Sequence, residues 1–404
     1  MTTTTDAPAP VPAPIRLDHS PDRRGSWIPT GGMIATRMME LRRRRGLMVA
    51  LVLVTIGIPT LFLVIRLLAH AFDPKSYGPA GGSDIFNALV AGVLYVFGFI
   101  VAATLGCTAG SVDLTEGMFR HLVVTGRSRL ALYLARIPAG LAIVVPLVAI
   151  GFTIVCAVCV FAAPTQANYN GVNIPPGLSQ AAFVHWATDH QDEVICNFNF
   201  HGGPSTPTVV NDVLGPNGVP CNGPGGGPGG PTVIQKGPGG PTVSTPPTAA
   251  MIRTVAVLMA DQNYRAYSKV FLSPSVGLMI RTGLWIELEV AVGFIVGLGL
   301  GSLLGQRTVA VVLMIVLEII LTPILSRANI PHLINLQRSV VGLAVAHLEP
   351  SGLAFVFGGG GGPGGDQGTS QLVPESTAVA VCVIIAWLVG WTALGAWRMV
   401  KRDA

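Results

Sequence analysis

Charge is what this sequence has least of. Only 11% of its 404 residues are Asp, Glu, Lys or Arg, while 50% are hydrophobic; soluble domains carry about 25% charged residues. With a mean hydropathy of +0.59, the chain is too apolar for a water-soluble fold of its size. Other absences narrow the choice further. No GxxxxGK[ST] phosphate loop, HExxH or GxSxG occurs, so no nucleotide site, zinc-protease helix or nucleophile elbow is on offer. Ten-residue segments of alternating hydropathy, the mark of an outer-membrane barrel, are missing as well. No apolar core falls in the first thirty residues, so the N-terminus does not read as a signal peptide. The net charge of +5 is not gathered into a basic soluble patch, and no nucleic-acid partner is expected.

Six apolar stretches remain, at about the 20 residues a membrane helix needs: 47–69, 86–110, 137–162, 280–304, 308–326 and 377–397. Lipid offers backbone N–H and C=O groups no partner, so these must be helices. The predicted fold is therefore an all-α membrane protein with six transmembrane helices. Its orientation follows from Lys and Arg. With the N-terminus inside, Arg16, Arg23, Arg24, Arg37, Arg42 to Arg45, Arg120, Arg127, Arg129, Arg136, Arg307, Arg398, Lys401 and Arg402 lie on the inner side, 16 of 25 basic residues. The other nine are spread over much longer outer loops. Both termini are expected in the cytoplasm and the protein in the cell membrane, with lipid as its solvent.

The order of segments follows. Residues 1–29 are Thr/Ala/Pro-rich at their start and predicted to be a disordered cytoplasmic N-terminus. Residues 30–46 read as an amphipathic interface helix with Ile34, Met38 and Leu41 on one face, or as a plain stop-transfer cluster at Arg42 to Arg45. Helices one to three fill 47–162, around a cytoplasmic loop at 111–136. An extracellular loop spans 163–279. Within it, 202–248 is Gly/Pro-rich, with GPGGPTV at 227–233 and again at 237–243, and predicted disordered. Helices four and five occupy 280–326. A second outer loop, 327–376, holds Val340 to Ala346 and Leu353 to Phe357, runs too short to span that suit re-entrant helices. The sixth helix, 377–397, leads to a cytoplasmic tail at 398–404.

The loop Ser111 to Arg136 carries the most information. Leu114, Met118, Phe119 and Leu122 make an apolar arc of about 140° at helical spacing. Glu116, Gly117, Arg120 and His121 take the other side, and the turn Thr125-Gly126-Arg127-Ser128-Arg129 follows. This stretch resembles the permeases of type-2 ATP-binding-cassette exporters. Between their second and third helices these have an acid, a glycine, a basic residue, an apolar pair and a turn ending in Ser-Arg. Glu116, Gly117, Arg120, Leu122 to Val124 and Ser128-Arg129 fit the pattern, and Gly126 stands where the family often has proline. The resemblance implies that Asp113, Glu116, Gly117, Arg120, Thr125, Gly126, Arg127, Ser128 and Arg129 form a coupling element against a cytoplasmic ATPase subunit. It also implies a second permease subunit, ATP held by the partner chain, no cofactor or catalytic residue on this one, and export as the work done.

Other residues invite separate readings. Gly293, Gly297, Gly301 and Gly305 form a four-residue ladder, which lets helices approach closely within one subunit or between two. Glu287, Glu289 and Glu318 fall inside spans, where carboxylates are functional candidates; a proton-coupled secondary transporter using them is the alternative function. Glu287 and Glu289 lie about 200° apart on a helix, so both cannot face one path. Cys196 and Cys221 can pair in an oxidising outer compartment. Cys156 and Cys159 have CxxC spacing mid-span with no second ligand pair, and His185, Asp189, His190 and their neighbours are irregularly spaced. No metal site is predicted.

Overall fold

In the computed structural model the described residues are 27–73, 80–115, 128–162, 167–169, 172–175, 177–191, 194, scattered positions from 250 to 268, 272–327, 333–350, 353 and 375–401. Six helices are long and apolar enough to cross a membrane: Arg45–Phe72, Ser83–Val112, Arg129–Phe161, Val276–Leu304, Arg307–Leu325 and Thr377–Lys401, here the first to sixth spans. The chain is a multi-pass membrane protein. The 19-residue fifth span rises about 28 Å, close to the thickness of the hydrocarbon core.

Burial separates the spans into two kinds. In the most apolar window of the fourth span 72% of residues are buried, and 59% in the second, against 17–28% in the other four. The second and fourth spans form the centre, and the sixth and third pack on the fourth. Leu61, Ile65, Val312, Ile385 and Val389 point outward from the peripheral spans. Such surfaces suit lipid and would associate in water.

Contacts place chain segments at two ends of the bundle. At one end, the carbonyl of Gly110 accepts from Ser302 Oγ at 3.3 Å and from Arg136 Nη1 at 3.3 Å, and Arg129 Nη1 donates to the carbonyl of Val400 at 3.1 Å. The helix Gly31–Arg43 packs there, burying Met33 against Ala131, Leu132 and Ala135. Its buried stripe is Met33, Arg37 and Leu41, with Ile34 and Met38 half-buried. The stripe shares Leu41 with the predicted face and otherwise lies one residue before it, with Arg37 paired to Glu40 at 2.6 Å. At the other end, Gly82 N donates to the carbonyl of Cys159 at 3.0 Å, and Ser83 N to that of Leu272 at 2.9 Å.

The 327–376 connection contributes two short helices, Ile334–Arg338 and Val341–Ala346, and all six residues of the second are buried. Gln337 Nε2 donates to the carbonyl of Leu325 at 2.7 Å, and Trp387 Nε1 to that of Ser339 at 2.8 Å. These bonds seat the pair between the fifth and sixth spans. Leu353 is described; 354–357, the rest of the second predicted run, lie outside the described residues.

A small folded unit flanks the Gly/Pro-rich segment. Ala167–Tyr169 and Val172–Ile174 form an antiparallel hairpin in the register Ala167↔Ile174, so the described residues include a two-stranded sheet beside the helices. Ser179 caps the helix Gln180–Asp189 by accepting from Ala182 N at 3.3 Å. Phe183, fully buried, stacks on Tyr267 with centroids 4.5 Å apart. The hydroxyls of Tyr267 and Tyr264 donate to the carbonyls of Pro175 at 2.6 Å and Leu178 at 3.3 Å. Aromatic residues from both sides of the Gly/Pro-rich stretch build this unit; 202–248, predicted disordered, lie outside the described residues.

Candidate functional site: an intramembrane acid cluster

The glycine ladder first explains how the centre is built. A Cβ on Gly297 would lie 2.7 Å from the carbonyl oxygen of Ala103, and one on Gly301 2.6 Å from that of Cys107; one on Gly293 would meet the Phe99 ring at 2.9 Å. The second span answers with Gly106 and Gly110, whose missing side chains leave room for the backbone of Phe294, Leu298 and Ser302. These three glycines therefore form a seam between the second and fourth spans of one chain. Gly305 does something else. It ends the fourth span with φ 70°, its N–H bonded to the carbonyl of Gly301, a backbone shape that suits glycine.

Beside this seam four elements converge on buried polar groups. Glu289 comes from the fourth span and is 1% exposed; Glu318 comes from the fifth and is 3% exposed. Tyr95 of the second span donates to Glu318 Oε1 at 3.5 Å. Its ring stacks on Trp285, with centroids 4.8 Å apart and planes 15° off parallel. Trp285 Nε1 in turn donates to the carbonyl of Val345, 2.8 Å away, in the buried short helix. Gly342 of that helix lies directly on the Glu318 carboxyl.

Local backbone geometry helps to aim these groups. Val90–Tyr95 and Val316–Leu321 are π-helical turns, one carrying Tyr95 and the other Glu318. Such widened turns leave carbonyls less well paired and recur at functional sites. Thr322 uses the slack. Its hydroxyl reaches back to the carbonyl of Leu317 at 3.0 Å and lies 3.4 Å from Glu318 Oε2.

The two acids of the fourth span separate as helical geometry requires. Glu289 faces the cluster, while Glu287 is half-buried on another side. Glu289 lies beside the Tyr95 hydroxyl, without a hydrogen bond of good geometry to either carboxyl oxygen among the described residues. A charged carboxylate at the centre of a membrane helix costs about 2.5–3.5 kcal/mol on insertion scales, so Glu289 and Glu318 are functional candidates. Sequence reading found Glu289 and Glu318 but missed Tyr95, Trp285, Thr322 and Gly342. One signal was available: Trp285 precedes Glu289 by one helical turn, which puts both on one face.

Of the other predicted site residues, only some are among the described residues. Asp113 is in the last turn of the helix Val96–Thr115. Glu116, Gly117, Arg120, Thr125, Gly126 and Arg127 lie outside the described residues, as do Cys196 and Cys221. Ser128 caps the helix Arg129–Leu134 by accepting from Ala131 N at 3.2 Å. A pocket next to this end is lined by Arg37, Glu40, Leu41, Ala109, Val112 and Arg136. His185 Nδ1 lies 3.2 Å from Asp189 Oδ2 on an exposed helix face, and no group of three metal-ligating side chains occurs among the described residues. Comparison with protein-family models, curated proteins and solved structures returns no match.

Proposed function

We propose that this chain is the membrane-spanning subunit of an ATP-binding-cassette exporter, forming a translocation path driven by an ATPase on a separate chain. The observation that carries the reading is the charged and apolar elbow at 111–136, with Glu116-Gly117 and Arg120 on its first limb and Ser128-Arg129 at its close. Its flanking residues support a docking role. Gly110, Arg136, the helix Gly31–Arg43 and the end of the sixth span meet at one end of the bundle. That end carries Arg42, Arg43, Arg129 and Lys401, the basic bias of a cytoplasmic face. A motor pushing on the elbow would push on the second and third spans through Gly110 and Arg136, and from Gly110 on the fourth.

In this reading the chain has no chemistry of its own. ATP binds the partner, the elbow transmits the stroke, and the path opens between this subunit and a second permease in the cell membrane. Reversing the charge of Glu116 or Arg120 is expected to leave membrane insertion intact and to abolish co-purification of the ATPase. Unchanged co-purification, or labelling that puts the elbow on the outer face of the cell, would overturn the assignment. Transport that persists without ATP and stops when a proton gradient is collapsed would replace it with a proton-driven carrier.

A further inference from the structure

The helix Gly31–Arg43 spends its apolar stripe on the protein, so the face it turns outward is of another kind. Met33, Arg37 and Leu41 are buried, while Met39, Arg42 and Arg43 are exposed. Arg42 and Arg43 follow Met39 by three and four residues, which makes the three neighbours on one surface. Arg45 continues the basic run as the first residue of the first span and is exposed as well. Arg42, Arg43 and Arg45 form no ion pair among the described residues. Glu40, the acid nearest to them in sequence, is held by Arg37 at 2.6 Å.

The spans around this patch fix its depth. From Arg45 the exposed face of the first span runs on through Val49, Val52 and Leu53, a helically spaced apolar surface that suits lipid. Arg45 stands about 6 Å above Val49 along the helix axis, where an arginine with its stem on apolar surface holds its guanidinium among headgroups. The sixth span ends at the same level. Arg129 Nη1 donates to the carbonyl of Val400, and the helix Gly31–Arg43 packs on Ala131, Leu132 and Ala135 just beyond Arg129. There Trp397 is 51% exposed, with Lys401 Nζ 5.0 Å from its ring centroid. An exposed tryptophan beside a basic residue at the end of a span marks the border between hydrocarbon and headgroups. A soluble protein docked on Arg45 would have to displace the lipid that covers Val49 and Leu53, whereas a headgroup meets the same arginine without doing so.

We propose that Arg42, Arg43 and Arg45 form a binding site for a phospholipid of net negative charge, the guanidiniums taking its phosphate while Met39 and Val49 border its acyl chains. Arginine suits this ligand because its planar fork of donors matches phosphate oxygens in pairs. A lipid held there ties the helix Gly31–Arg43 to the start of the first span. The site needs neither an ATPase nor a cargo, so it stands or falls separately from the elbow.

Native mass spectrometry of the purified full chain in a neutral detergent tests it, counting the lipids retained as phosphatidylglycerol or phosphatidylcholine is added. Phosphatidylglycerol is expected to bind severalfold more tightly. Arg42→Gln, Arg43→Gln and Arg45→Gln should each weaken its binding about fivefold, the attraction of one arginine for an anionic surface, and leave phosphatidylcholine unchanged. Arg281→Gln, which removes an exposed arginine at the opposite end of the fourth span from Ser302, should bind as the wild type does. Should the Gln variants not fold, the wild type decides alone: its preference should shrink as salt rises from about 0.1 to about 1 M and the screening length falls from about 10 to about 3 Å. Equal binding of the two lipids, a preference that survives high salt, Gln variants that match the wild type, or an equal loss in Arg281→Gln would each overturn the proposal. Equal lipid binding together with Gln variants that lose an acidic protein partner would assign the face to that partner instead.

Discussion

Gly297→Ala offers a direct measure of how closely the two central spans are held. The added Cβ would lie 2.7 Å from the Ala103 carbonyl oxygen, short of ordinary contact by about 0.7 Å. It would also crowd the Cα of Ala103 at 3.2 Å and the nitrogen of Cys107 at 3.3 Å. All three are backbone atoms, which no rotamer change can move aside, so one helix must shift against the other. A gap of 0.5–1 Å forfeits about a quarter to a half of each dispersion contact, and it would open at Gly293 and Gly301 together. The expected cost is that of an overpacked core, about 1–3 kcal/mol. Gly390→Ala in the sixth span is the control, because nothing lies within 4 Å of its added Cβ, and alanine favours a helix by about 0.5–1 kcal/mol. Thermal unfolding in one detergent should put Gly297→Ala several degrees below wild type, at about 2–4 °C per kcal/mol, and Gly390→Ala level with it or above. If the two variants melt together, the seam is not holding the spans at this distance.

Trp285→Phe keeps the ring stacked on Tyr95 but removes one of the two donors to the Val345 carbonyl, which keeps its bond from Leu348 N; a loss of about 0.5–1.5 kcal/mol and faster hydrogen exchange confined to 341–346 are expected. Glu375 precedes the sixth span and its carboxyl is raised above the ordinary carboxylate range, chiefly by burial, with His347 at 3.8 Å and Arg338 opposing the shift. A carboxyl raised on folding stabilises the protein below its unfolded value, and that contribution is lost as pH rises through the folded value. Stability of the wild type should therefore fall over that interval relative to Glu375→Gln, and denaturation curves at stepped pH should show the difference vanish if Glu375 does not titrate there. For the elbow, charge reversal at Glu116 and at Arg120 should act alike on ATPase co-purification and leave the unfolding midpoint unchanged.

Several elements were legible because their cause is local. An apolar run of 18 or more residues must be a helix in lipid whatever it packs against, and all six predicted runs are helices, each end within eight residues of the predicted one. The run Val340 to Ala346, too short to span, was legible as a short helix, and Val341–Ala346 is one. The face of the N-terminal helix was not. Leu41 is buried as that face required, but Met33 and Arg37 complete the stripe, Arg37 paired with Glu40. Gly305 continues the ladder in spacing yet leaves it in structure, because a helix that stops needs a residue able to take positive φ. The hairpin and the Phe183 stack escaped because their partners are separated by the long Gly/Pro-rich segment.

The sequence by itself determined the membrane as solvent, the number of crossings and which residues were too polar for their depth. Those are sums over chain neighbours, set by the transfer of backbone and side chains out of water. Only the tertiary structure decided that Glu318 meets Tyr95, 223 positions earlier, that Gly342 lies on the Glu318 carboxyl, and that Glu289 rather than Glu287 is fully buried. Those depend on how helices rotate to bring their small residues together, a choice made between spans and written in no single one of them.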